Sequence, residues 1–155
     1  MGTARSFEDC VAGLFAIAYR VAFRLSGDRE MSEDIAQEIG ARAMVRWARV
    51  ESYAEAWVAR SAGNLALDHL RRRTRGNPQS ATVAESTADR LDVVQALRGL
   101  PRRQREVVIL RFLADLSEQQ VADRLGCSVG AVKQHTHRAL AALRGSSKLT
   151  FLEGA

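Results

Sequence analysis

The side chains best suited to chemistry in this sequence form one polar stripe near its carboxyl end. Each of them except the alanine can donate a hydrogen bond or carry a positive charge. An arginine or a glutamine can pair with guanine or adenine edges, whereas a lysine ammonium is better suited to a phosphate. The stripe therefore predicts contact with a nucleic acid groove. Its members are Ala131, Lys133, Gln134, His135, His137 and Arg138.

A metal-dependent hydrolase using His135, His137 and Cys127 is the enzymatic alternative. A His-x-His pair on a helix points its two rings about 200° apart, which is unsuitable for holding one metal ion. The sequence also contains no phosphate-binding loop and no nucleophile–base pattern. We therefore expect no enzymatic activity, no cofactor and no metal site.

Two short helices joined by a tight turn must hold the polar stripe in place. Ser117 and Gln120 match a capping box, Gly126 is suited to ending the first helix, and Ser128 is suited to capping the second. This pattern is typical of a helix-turn-helix, whose second helix enters the major groove, although an ordinary helical hairpin would share it. Apolar spacing predicts an inward face made of Val121, Ala122, Leu125, Val132, Thr136, Ala139, Leu140 and Leu143.

The overall composition favours an all-α fold with a polyanionic partner. Proline occurs only twice, aromatic residues make up 6%, and the formal net charge is +5. Cys10 and Cys127 have no paired spacing, which predicts no disulfide and fits a cytoplasmic protein. No apolar run approaches the roughly twenty residues that cross a bilayer, and no signal peptide precedes Phe7. We therefore expect no membrane insertion.

Two helices begin the chain, and the second has an acidic start. Apolar residues recur at helical spacing from Phe7 to Leu25, and Gly27 is expected to end that helix. Ser32 is the expected cap of the second helix. Residues 28–38 hold five acidic side chains against the single Arg29, so this helix is unlike a DNA-facing surface.

The third helix is basic and follows a short connection, Arg49 to Ser52. It is expected from about Ala54 to Arg73, and residues 42–75 hold eight arginines against three acidic residues. The arginines suit phosphates, although cations also favour a helix carboxyl end. Its predicted apolar side comprises Trp57, Val58, Ser61, Ala62, Leu65 and His69.

Turn-forming residues between Thr74 and Ser86 mark a domain boundary. Helical periodicity resumes at Leu91 and stops at Gly99. A further helix is expected with Pro101 at its first position, continuing through Leu113. This apolar helix would pack against the helix-turn-helix.

Three segments carry a family resemblance: GDREMSEDIAQEIGARAMVRW, WVARSAGNLALDHLRRR and LPRRQREVVILRFLADLSEQQVADRLGCSVGAVKQHTHRALAALR. In this order they resemble the extracytoplasmic-function (ECF) group of bacterial RNA polymerase sigma factors. The resemblance implies an all-α protein of two small helical domains joined by a flexible linker. Residues 1–75 would form the region 2 domain, 76–90 the linker, and 91–155 the region 4 domain with the helix-turn-helix.

The resemblance also implies partners: core RNA polymerase through its beta and beta-prime subunits, promoter DNA, and an anti-sigma protein. It places polymerase contacts at Asp34, Gln37, Glu38 and Arg42 on the acidic helix. It places downstream (−10) promoter contacts at Arg49, Val50, Glu51, Ser52, Arg60, Asn64, Arg71, Arg72 and Arg73. Ser128, Ala131, Lys133, Gln134, His135, His137 and Arg138 would contact the upstream (−35) element.

A stand-alone dimeric helix-turn-helix regulator is the second functional hypothesis. A dimeric regulator of this kind needs a self-complementary apolar face on the protein and paired half-sites on the DNA. Dimerisation would not explain an acidic second helix beside an arginine-rich third one. Capture of core RNA polymerase separates the two hypotheses, because only a sigma factor would form that complex.

Overall fold

The computed structural model describes residues 4–76 and 85–144, and every regular element in these ranges is helical. The predicted all-α fold with two helical regions is thereby confirmed. The amino-terminal elements are α1 (Phe7–Ser26), α2 (Arg29–Val45), α3 (Trp47–Val50), a 3₁₀ turn (Glu51–Tyr53) and α4 (Ala54–Gly76). The carboxyl-terminal elements are α5 (Glu85–Gly99), α6 (Arg102–Val108), a π-helical turn (Ile109–Leu113), α7 (Glu118–Leu125) and α8 (Val129–Leu143).

Helices α1, α2 and α4 pack around one apolar core. Leu25 of α1 and both Ile35 and Ile39 of α2 are almost completely buried. Gly27 ends α1 as expected, in a left-handed conformation with φ 64°. The hairpin between α1 and α2 therefore places the acidic face of α2 on the outside of this core.

The cap of α2 differs from the prediction. Asp28 is the cap, and its carboxylate accepts a hydrogen bond from the Met31 amide at 3.0 Å. Ser32 lies inside the helix, where it is buried and its hydroxyl donates to the Asp28 carbonyl at 2.6 Å. Asp28 rather than Ser32 caps the helix because Asp28 directly follows the left-handed glycine, where the backbone is still extended.

Helix α4 buries more of its surface than predicted. Val58 and Ala62 are buried as expected, whereas Trp57 is only partly buried. A second set of small residues is buried as well, and at Gly63 this side of the helix is covered by Ile109 of the π-helical turn. This set comprises Ala56, Ala59, Gly63 and Ala66.

The helix predicted from Pro101 to Leu113 changes geometry along its length. Pro101 occupies the capping position just before α6, one residue earlier than expected. The last part is a π-helical turn in which the Ala114 amide donates to the Ile109 carbonyl at 2.9 Å. Asp115 then takes a left-handed conformation with φ 58°, which ends the turn.

The centre of the predicted linker, residues 77–84, lies outside the described residues, and α5 begins at Glu85 within the predicted linker range of 76–90. Within residues 4–76 and 85–144, none of the helices has the length and apolar character needed to cross a bilayer. The same two ranges hold no cluster of histidine, cysteine and acidic side chains suited to a metal ion.

Candidate nucleic-acid interface

Local hydrogen bonds build the helix-turn-helix as the sequence predicts. The Gln120 amide donates to the Ser117 hydroxyl at 3.1 Å, and the Ser117 amide donates to the Gln120 side chain at 2.8 Å. Gly126 ends α7 with φ 66°. The Ser128 hydroxyl then accepts from the Ala131 amide at 3.0 Å. The capping box, the glycine stop and the second cap are all confirmed.

The second helix, α8, presents most of the predicted stripe to solvent. Lys133, Gln134, His137 and Arg138 are exposed, and so is Ser128 at the helix start. Val132, Ala139 and Leu143 are buried on the opposite face. A partly buried Thr136 donates its hydroxyl to the Val132 carbonyl at 2.8 Å. The exposed face thus carries, on one helix, side chains of the types that can pair with a base edge and side chains of the types that can neutralise a phosphate.

Two members of the stripe are not fully exposed. Ala131 is half-buried at the helix start, and His135 is half-buried farther along. The Nδ1 atom of His135 is buried and has no hydrogen-bond partner within the described ranges. His135 therefore lies at the edge of the exposed face, and Gln134 is the more exposed of the two side chains.

Lys133 lies close to the acidic start of α7. Its ammonium is 3.9 Å from a Glu118 carboxylate oxygen, and the other Glu118 oxygen is 4.0 Å from Arg111. Arg111 also donates to the Leu116 carbonyl at 2.8 Å. Because Lys133 remains 65% exposed, this weak pair leaves its ammonium available to a phosphate.

The connection predicted from Arg49 to Ser52, expected to contact the downstream promoter element, is helical. Arg49 and Val50 end α3, and Glu51 and Ser52 belong to the 3₁₀ turn. Arg49 and Ser52 are exposed, whereas the side chain of Val50 is buried at 2% exposure. Val50 therefore supports this turn from inside, and its side chain would have to leave the core to contact a base.

The other predicted downstream contacts lie along α4. Asn64, Arg71 and Arg72 are exposed. Arg60 is instead 3.5 Å from the carboxylate of Glu106, whose side chain is 7% exposed. The structure therefore separates Arg60 from the freely exposed members of this set.

Arg73, the last of these arginines, holds the cap of α2. Its guanidinium donates to the Asp28 carboxylate at 2.9 Å. The pKa of Asp28 is lowered, chiefly by the hydrogen bond from the Met31 amide and also by Arg73, although partial burial opposes the shift. This ion pair connects the carboxyl end of α4 to the start of α2.

The acidic face of α2 is open to solvent. Asp34, Gln37, Glu38 and Arg42 are all exposed, while Ile35 and other apolar residues of the same helix point into the core. Glu38 and Arg42 form an ion pair one helical turn apart. The face therefore offers a continuous polar surface that no described part of the chain covers.

The sequence alone predicts no role for Glu106. It is buried at 5% exposure and accepts from Arg102 at 3.2 Å and Arg103 at 3.1 Å, in addition to its ion pair with Arg60. The one available signal was a lone acid after three arginines in PRRQRE. Its contact with Arg60 joins distant parts of the chain and has no local sequence pattern.

Comparison with known families divides the chain into the same two regions. Residues 13–76 match the family model described as Sigma-70 region 2. Residues 90–143 match the model described as Sigma-70, region 4. The first match contains α2 and α4, and the second contains the helix-turn-helix.

Similar proteins extend the match to nearly the whole chain. The RNA polymerase sigma-E factor of Streptomyces coelicolor is 34% identical, over 93% of this chain and 87% of that protein. The ECF RNA polymerase sigma factor SigL of Mycobacterium tuberculosis is 34% identical, over 83% of this chain and 81% of that protein.

A solved structure shares the fold. It is the sigma factor RpoE of Bartonella quintana, crystallised with the anti-sigma factor NepR, with a TM-score of 0.52 and 23% identity over 92% of this chain and 97% of that one. The two family matches stand in the same order as the helices described above, and the sigma-E and SigL relatives span them both. The chain therefore belongs to the ECF sigma factors and is an alternative sigma factor of bacterial RNA polymerase.

Proposed function

We propose that the exposed face of α2 binds core RNA polymerase, contacting the beta-prime subunit with Asp34, Gln37, Glu38 and Arg42. The observation that supports this most directly is the separation of charge between elements. The acidic face of α2 is uncovered and distinct from the exposed donors of α8. A surface that rejects DNA phosphates is suited to a protein partner.

The same proposal assigns DNA contacts to the other two surfaces. Helix α4 and the turn before it contact the downstream promoter element, and α8 contacts the upstream element. Asn64 has an amide that can both donate to and accept from a base, whereas Arg71 and Arg72 can neutralise phosphates without reading sequence. In this arrangement residues 1–75 and 91–155 act as separate DNA-binding domains, joined by the linker of residues 76–90.

The activity we propose is recruitment rather than catalysis. The chain would direct a polymerase to particular promoters in the cytoplasm, perform no chemical step itself, and contact both the beta and beta-prime subunits. Regulation by an anti-sigma protein is also part of the proposal, and it rests on the family to which the chain belongs.

Capture of core polymerase tests this function against the dimeric regulator. The full-length chain, immobilised through a tag, should retain purified core polymerase in a one-to-one complex and elute from a sizing column as a monomer when alone. Its affinity for duplex DNA should be weak until the polymerase is added. A stable dimer that binds duplex DNA tightly and retains no polymerase would support the regulator hypothesis instead.

A further inference from the structure

An arginine-rich cleft of about 420 Å³ lies between α4, α6 and α7. Its wall holds four guanidinium groups, one buried carboxylate and a single apolar side chain. Because four positive charges face one negative charge, the cleft has an excess of three positive charges. A concave site with this balance of charge attracts anions. The lining residues are Arg60, Arg102, Arg103, Glu106, Arg124 and Leu125.

The carboxylate of Glu106 fixes the direction of three of these arginines. Its Oε1 atom accepts from Nε of Arg102 at 3.2 Å and lies 3.5 Å from Arg60. Its Oε2 atom accepts from Arg103 at 3.1 Å. Because Glu106 is buried, it holds together three cations that would otherwise repel one another.

The arginines of the cleft have donors that these contacts do not use. A guanidinium group carries five N–H donors, and Glu106 accepts one hydrogen bond from Arg102 and one from Arg103. The Nε atom of Arg60 is buried and has no hydrogen-bond partner within residues 4–76 and 85–144. A buried donor without a partner is energetically costly, so an anion that supplied the missing acceptor would be bound more tightly.

The two arginines of α6 leave the cleft accessible from solution. The side chains of Arg102 and Arg103 are 83% and 48% exposed, whereas that of Arg60 is 21% exposed. Arg124 is held from the side of the 3₁₀ turn, where it donates to the Ser52 carbonyl. A ligand can therefore enter past two mobile guanidinium groups and reach two that are more firmly placed.

The number of excess charges selects the class of anion. Planar guanidinium groups bind phosphate oxygens in pairs. A single phosphate group carries about two negative charges at pH 7, so it would not neutralise an excess of three. Two adjoining phosphates carry about three to four negative charges. A DNA strand has only one negative charge per nucleotide, spread along its backbone, so it brings less charge into a cleft of this size.

We propose that this cleft binds a small anion with two adjoining phosphate groups, either free pyrophosphate or the terminal groups of a nucleoside diphosphate. Arg102 and Arg103 contact the outer phosphate, and Arg60 and Arg124 contact the inner one. Glu106 does not touch the ligand and acts as a positioning residue for three of the four arginines. Binding requires neither polymerase nor promoter DNA, so this site is independent of the proposed function.

Isothermal titration calorimetry of the full-length chain with pyrophosphate, in metal-free buffer, tests the site. We expect one pyrophosphate to bind per chain, at least about tenfold more tightly than orthophosphate at the same ionic strength. ADP distinguishes the two sources of the ligand. Tighter binding of ADP than of pyrophosphate would support a nucleotide as the occupant, and weaker binding would support free pyrophosphate.

Arg102→Gln and Arg103→Gln each remove one positive charge from the cleft, and Arg29→Gln on α2 is the matched control. Arg29 is 82% exposed and pairs with Glu33 at 3.1 Å, so its replacement also removes one charge and one exposed ion pair. We expect both cleft variants to bind pyrophosphate at least about fivefold more weakly than the wild type, and the control to differ by less than about twofold. Pyrophosphate should also raise the midpoint of thermal unfolding of the wild type and the control more than those of the cleft variants. Circular dichroism verifies that all the proteins remain helical.

Equal affinity of the wild type, the control and both cleft variants for pyrophosphate would mean attraction by net charge alone and would overturn the site. The same conclusion would follow if pyrophosphate bound no more tightly than orthophosphate. A single-stranded oligonucleotide without terminal phosphates is the competitor that represents DNA. If it displaced pyrophosphate at a lower concentration than ADP does, the cleft would bind a DNA backbone instead. Failure of the proposed function would appear separately, as loss of polymerase capture by the wild type.

Discussion

Gln134 and Lys133 are adjacent in sequence, but we expect them to act differently on DNA. Both are exposed on α8. The Gln134 amide can pair with a base edge, so Gln134→Ala should change base preference at the upstream element and weaken the best site by about 1 to 3 kcal/mol. The measurement is binding of the polymerase complex to a panel of upstream elements with single-base changes.

Lys133→Ala is the matched comparison in the same panel. The Lys133 ammonium is a point charge, so removing it should weaken binding to all sites alike. The slope of the logarithm of the binding constant against the logarithm of salt concentration should become shallower by about one. If the two variants lower affinity equally at every site, α8 lies in the groove differently from the arrangement proposed here.

The ionisation of Asp28 should make the stability of the amino-terminal helices depend on pH. Its folded-state pKa is lowered below 3.8, so the ionised form stabilises the fold above the unfolded pKa, and this contribution is lost as pH falls through the folded value. Asp28→Asn keeps a capping oxygen but cannot pair electrostatically with Arg73. We expect it to be less stable than the wild type at pH 7 by about 0.5 to 1 kcal/mol.

Urea unfolding from pH 7 down to below about pH 4 tests this expectation. The difference in free energy of unfolding between the wild type and Asp28→Asn should shrink as Asp28 becomes protonated. A difference that stays constant across this range would mean that the charge of Asp28 contributes nothing.

At the scale of elements, the exposed acidic face of α2 should bind a partner and contribute little to the stability of the fold. Asp34→Arg combined with Glu38→Arg reverses two exposed carboxylates while leaving the buried Ile35 and Ile39 in place. We expect weaker polymerase capture, by at least about tenfold, and an unchanged helical circular dichroism signal.

The matched control reverses two exposed acids on other helices, Glu8 of α1 and Asp92 of α5. It changes the net charge of the protein by the same amount, so it separates a local contact from a general charge effect. Equal loss of polymerase binding in both double variants would argue against a specific contact on α2.

Helix ends that depend on hydrogen bonds within a few residues were predictable from the sequence. Helix ends for which two nearby residues could each supply the cap were not. Ser117 with Gln120, Gly126 and Ser128 each act within a few residues, and all three predictions are confirmed. The cap at Ser32 was wrong because Asp28 offers a carboxylate nearer the left-handed glycine. The π-helical turn after Val108 has no simple sequence signature, so a continuous helix was predicted there.

At the scale of the whole molecule, the order of helices followed from periodicity, but their packing did not. The small residues Ala59, Gly63 and Ala66 were a visible signal that α4 could be approached closely on a second side. Which helix would approach could not be read from the sequence, because the partner Ile109 is remote along the chain. The ion pair between Arg60 and Glu106 was not predictable either, because these two residues are also remote along the chain.

Transcription of fragmented genomic DNA in vitro measures whether this chain makes core polymerase choose particular promoters. Core polymerase is supplied with the full-length chain, and the 5′ ends of the transcripts are mapped by sequencing. We predict starts that appear only when the chain is added and that share two short conserved sequence blocks, separated as the −35 and −10 elements are. Transcripts whose starts are the same with and without the chain, or share no such blocks, would show that the chain does not select promoters.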